Sequence, residues 1–100
     1  MTTNIQFISM PTSEAMEAYT LKKLESLFNK YESIIRVDVF FKRENSPKEL
    51  GRIVEMEVSI AGPRIHASSN EKNYEMAVKN TISDLEKQLK KRKGTLKPYL

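Results

Sequence analysis

Cysteine is absent from this chain of 100 residues. Disulfides and thiolate metal sites are excluded with it, which fits a reducing compartment such as the cytosol. Histidine occurs once, at His66, and one imidazole without cysteine or a second histidine nearby builds no transition-metal site. Glycine occurs three times, at Gly51, Gly62 and Gly94. All three stand at turn-like places, so there is no glycine-rich phosphate loop. No window approaches the roughly 20 apolar residues that a membrane span needs. The start, MTTNIQFISM, has no basic segment leading into a long apolar run, so a signal peptide is not expected.

What is present fits one small domain over residues 1–100. Hydrophobic residues make up 39% and charged residues 30%, enough for a single core but not for a deep enclosed pocket. The net charge is +4, and it is unevenly placed. Residues 1–70 hold nine Lys/Arg and nine Asp/Glu; residues 71–100 hold eight and four, so the whole excess lies in the last third. Asymmetry of this kind points to an anionic partner.

Periodicity divides the chain into six elements. Asn4–Ser9 reads as a short strand, broken by Pro11. Thr12 or Ser13 can cap a helix whose apolar positions are Tyr19 or Thr20, Leu24, Leu27, Phe28 and Tyr31. IIRVDVFFKR alternates, with Ile35, Val37, Val39 and Phe41 on one face. RENSPKELG is a loop, and IVEMEVSI alternates again, with Val54, Met56, Val58 and Ile60 inward. AGPR is a turn, and RIHAS a short strand. A second helix is predicted to start near Ser69 or Asn70, bury Tyr74, Ala77, Val78, Ile82, Leu85 and Leu89, and end at Gly94. The predicted class is α+β, in the order β-α-β-β-β-α: one four-stranded mixed sheet with two helices packed on the same face. The first two strands are parallel through the helical crossover, and the last three form an antiparallel meander.

At about 100° per residue, Lys72, Lys79 and Lys90 fall on nearly one line opposite Leu85, with Lys87 beside it. Lys91, Arg92 and Lys93 carry the charge around the helix end. Between Lys87 and Lys97 there are six basic residues and no acidic one. A solvated lysine face is the plain account, and cations near a helix C-terminus complement its dipole. That accounts for one or two of them, not for six mutually repelling charges. A polyanion, with nucleic acid first among the choices, suits them better. An acidic membrane surface fits less well, because the apolar face of the helix is needed for the core. Glu55 and Glu57 are neighbours on a strand face but lie in no predicted cleft, so no acid–base pair and no enzyme is expected. Phe40 stands among polar neighbours on the outward face, where it could stack on a base or be an ordinary exposed aromatic.

RIHASSNEKNYEMAVKNTISDLEKQLKKRKGTLK resembles the last strand and second helix of the ribosome hibernation promoting factors, also called ribosome-associated inhibitors or sigma-54 modulation proteins. PTSEAMEAYTLKKLESLFNKYESIIRVDVFFKRE resembles their first helix and second strand. The resemblance implies the same β-α-β-β-β-α fold and a non-catalytic cytoplasmic protein that needs no cofactor. It implies binding to the 30S small subunit and its 16S rRNA under slow growth or stress, over the mRNA channel and the A and P sites. RNA contacts would then fall on Lys79, Lys87, Lys90, Lys91 and Arg92, with Lys93 and Lys72 beside them and Lys22, Lys23 and Lys30 on helix one. No small-molecule substrate, no membrane and a monomeric free state are expected. Asn73-Tyr74-Glu75 departs from the family's Asp-Met-Tyr, and Ser26 and Asn29 replace frequent basic residues. The chain resembles the short members, so self-driven ribosome pairing is not expected. The residues alone also allow a general RNA-binding or interaction module that applies the basic helix to another RNA or to an acidic protein.

Overall fold

The computed structural model describes residues 2–44 and 50–96, with side chains as far as Arg92. The core of the loop read at RENSPKELG, residues 45–49, lies outside the described residues. The elements are β1 (Thr2–Phe7), α1 (Glu14–Lys30), β2 (Arg36–Arg43), β3 (Arg52–Ser59), β4 (Ile65–Glu71) and α2 (Tyr74–Leu96). The sheet order is β1-β2-β3-β4. β1 runs parallel to β2 and the other two pairings are antiparallel, as the crossover through α1 requires.

Strand alternation builds the inner face. Val37, Val39 and Phe41 on β2 stand opposite Val58, Met56 and Val54 on β3, and Ile65 and Ala67 on β4 continue the layer. All eight are buried, and they share one core with Leu24 and Leu27 of α1 and Ala77, Val78, Leu85 and Leu89 of α2. Both helices therefore lie on the same face of the sheet. Each fully buried aliphatic or aromatic side chain contributes about 1.5–3 kcal/mol, so this stripe, rather than any surface charge, holds α2 in place. Phe7 stacks on Phe41 with ring centroids 4.7 Å apart, which fastens β1 to β2.

Thr20 and Thr81 are the buried polar side chains, one on each helix. Their hydroxyls donate to the carbonyls one turn back, Thr20 to Met16 at 2.8 Å and Thr81 to Ala77 at 2.7 Å. Both buried donors are thereby satisfied, and the Thr81 hydroxyl also lies 3.4 Å from the Val54 carbonyl on β3. Ser13 caps α1 as its sequence suggests, its Oγ accepting the Met16 N–H.

Element limits differ from the sequence reading at several places. β1 covers Thr2–Phe7 rather than Asn4–Ser9, because Ser9 takes a left-handed φ of 56° that breaks the extended chain. Ile35 does not share the inner face of β2: it is 62% exposed, whereas Ile34 is buried. The Ile35 backbone already bonds both neighbouring strands, its N–H donating to the Ser59 carbonyl and the Thr2 N–H to the Ile35 carbonyl, while the Ile34 N–H turns back onto the Tyr31 carbonyl. β4 continues to Glu71, and α2 starts at Tyr74 rather than at Ser69 or Asn70. Asn70 is held in the sheet, its Oδ1 accepting the Gly51 N–H at 2.7 Å, and Asn73 caps α2 by accepting the Met76 N–H at 2.8 Å. Gly94 does not end α2, which runs to Leu96; one glycine costs a helix only about 1 kcal/mol.

Candidate nucleic-acid interface

Burying Ala77, Val78, Thr81, Leu85 and Leu89 against the sheet fixes which side of α2 meets solvent. Lys79, Lys87 and Lys90 stand on that side, all exposed. Lys72, just before the helix, is exposed as well. Among the described residues none of these four forms an ion pair. Lys91 is also exposed.

α1 adds two further lysines, although its three basic residues are matched by three acidic ones. Lys22 and Lys23 are exposed, and the Lys23 ammonium lies 5.5 Å from the centre of the Tyr19 ring. A groove of about 310 Å³ runs between the helices, lined by Lys23, Ser26, Lys79, Ile82, Ser83 and Glu86. Beside it, Lys30 of α1 bonds the Glu86 carboxylate of α2 at 3.0 Å.

Arg92 sits apart from this set. It follows Leu85 by seven residues, two turns, and so falls on the core side of α2. It is half-buried beside Ile65, Gln88 and Lys91, and its Nη1 is buried without a hydrogen-bond partner. The neighbouring Gln88 ties α2 to β4 by donating to the His66 carbonyl at 2.9 Å. Lys93 is part of α2, but its side chain lies outside the described residues, as does Lys97.

The opposite face of the sheet is electrically different. Its carboxylates are each paired: Asp38 with Arg36 at 2.9 Å, Glu55 with Lys42 at 3.1 Å and Glu57 with Arg64 at 2.6 Å. The Arg36 guanidinium holds the Asp38 carboxyl below the usual carboxylate range; partial burial opposes the shift, and the Asn4 amide adds to it. His66 is exposed opposite Glu57, and Phe40 is half-buried in register with Gln6 and Glu55. Among the described residues no three His, Cys, Asp or Glu side chains gather to hold a metal ion, and no helix is long and apolar enough to cross a membrane.

Asn73 and Tyr74, within Asn73-Tyr74-Glu75, have structural roles. Asn73 is the α2 cap, and Tyr74 turns inward, its ring edge against Phe41 at 5.5 Å and its hydroxyl donating to the Lys42 carbonyl at 2.7 Å. Burial raises the Tyr74 pKa, with Arg52 and Arg43 opposing, so the phenol remains a donor at neutral pH. Glu86 went unnoticed in the sequence. The signal was available, since Glu86 follows Lys79 by seven residues and precedes Lys90 by four, on the same line of the helix.

Comparison with solved structures finds the same fold. A ribosomal subunit interface protein from Coxiella burnetii superposes with a TM-score of 0.81 at 24% identity, covering 94% of this chain and 99% of that one. The N-terminal domain of Protein Y from Thermus thermophilus gives 0.72 at 19% identity, covering 88% and 93%. No curated protein sequence matches. The family model described as sigma 54 modulation protein / S30EA ribosomal protein matches residues 3–97. With nearly its whole length accounted for, from the first strand through the basic helix, the chain belongs to the sigma 54 modulation protein / S30EA ribosomal protein family.

Proposed function

We propose that this protein is a non-catalytic, ribosome-associated translation inhibitor. It docks its helix layer on the 16S rRNA of the 30S subunit, over the mRNA channel and the A and P sites, and promotes hibernation under slow growth or stress. It acts in the cytoplasm, is a monomer when free, and needs no cofactor. The observation that carries this reading is the contrast between the two faces. The sheet face neutralises its own charges, while Lys79, Lys87 and Lys90 stand unpaired along α2 with Lys72, Lys22 and Lys23 nearby. Phosphates recur along an RNA backbone, and long lysines need only to be placed within reach of them. Family membership supports the ribosomal partner.

Co-sedimentation with purified small subunits at low salt tests the proposal. The protein is expected in the subunit fraction, and bound mRNA and tRNA should displace it. Protein remaining wholly in the free fraction overturns the reading. Binding that mRNA and tRNA leave untouched favours a general RNA-binding module instead.

A further inference from the structure

One acidic residue lines the groove between the helices, beside two lysines. Glu86 shares its walls with Lys23 and Lys79, and its carboxylate takes the Lys30 ammonium at 3.0 Å, from α2 to α1. The Lys30 side chain is 60% exposed and that of Glu86 24%. Exposed ion pairs contribute little to folding, and Leu24, Leu27, Leu85 and Leu89 already join both helices to one core. The effect of Glu86 is therefore electrostatic. It cancels one positive charge of the helix layer, in a groove that Lys23 and Lys79 also line.

We propose that Glu86 is an internal counter-charge that withholds Lys30 from phosphate and keeps the affinity of the helix layer for RNA below its limit. The proposal rests on reading that layer as an RNA-binding surface. A phosphate entering the groove meets the carboxylate directly and is repelled, or it takes Lys30 and strips the carboxylate of its partner. In the second case the gain from the phosphate contact is offset by the loss of the Glu86 ion pair, so Lys30 adds little to the affinity. Without the carboxylate, Lys30 becomes one more phosphate contact. That contact adds roughly 0.7–0.9 to the log–log salt slope, equal to a roughly five- to eightfold gain in affinity at about 0.1 M salt.

The test compares the native protein with Glu86→Gln, Lys30→Gln and the double variant, after thermal melts confirm that each is folded. Binding to a fluorescent oligouridylate is followed by anisotropy across a salt series, and co-sedimentation with small subunits is run beside it. Glu86→Gln should bind the oligonucleotide roughly five- to eightfold more tightly at about 0.1 M salt, with the steeper slope. Lys30→Gln should bind more weakly, and the double variant should return to within about twofold of the native protein, since an electrically neutral pair has been removed. Unchanged affinity in Glu86→Gln overturns the proposal and makes the carboxylate a bystander. Weaker binding overturns it too, and makes Glu86 a positioning residue for Lys30. The oligonucleotide decides this even if the native protein ignores small subunits, an outcome that would count against the ribosomal reading alone.

Discussion

Arg36 reaches Asp38 through both Nε and Nη2, at 2.9–3.1 Å, on the outer face of β2. The lowered carboxyl pKa means that the folded state favours the ionised form more than the unfolded chain does. Its contribution to stability is thus fully present above the unfolded aspartate value of about 3.9 and is lost as pH falls through the lower folded value. Asp38→Asn should be less stable than the native protein at neutral pH, with the gap closing in acid. Urea melts across that pH range check it, and a gap that persists or widens in acid would show the pair has been misread. Single residues are also where the sequence was least legible. Ile35 fits the alternation of β2, yet its side chain is exposed and its neighbour Ile34 is the one buried. Arg92 belongs to a basic run, yet seven-residue spacing from Leu85 sends it toward the core. Glu86 became meaningful only when the two helices were set side by side and Lys30 came within reach.

At the scale of elements the sequence was clearer. The inner rows of β2 and β3 and the apolar stripe of α2 follow from periods of 2 and 3.6, and the structure buries Val37, Val39, Phe41, Val54, Met56, Val58, Ala77, Val78, Leu85 and Leu89 as those periods require. Element ends were harder to read. Asn70 and Asn73 are both good caps by type, and the choice between them is made by a long-range bond from Gly51 that local pattern does not contain. The lysine line of α2 carries the prediction at this scale. Replacing Lys79, Lys87 and Lys90 together by Gln should flatten the log–log salt slope of subunit binding by roughly 2–3. Folding should barely change, since surface substitutions shift stability by about 0.5 kcal/mol or less. Salt titration and a thermal melt read the two effects separately; an unchanged slope would remove α2 from the interface.

The whole molecule sorts its charges by layer. Among the described residues, paired side chains cover the outer sheet face, while Lys72, Lys79, Lys87 and Lys90, which form no ion pair, lie on the helix side. The core lies between the two layers, and screening acts over about 8 Å at physiological ionic strength. Lys42→Gln and Arg64→Gln should accordingly bind small subunits within about twofold of the native protein at that ionic strength. Losses as large as those from the α2 lysines would move the interface to the sheet. This layering has a kinetic consequence as well. A body positive on one side and balanced on the other carries an electric dipole, and the field of a polyanion exerts a torque on it at a distance. The protein would be turned helices-first before touching, which widens the set of approaches that end in productive capture. Added salt would then slow arrival, and not only hasten departure.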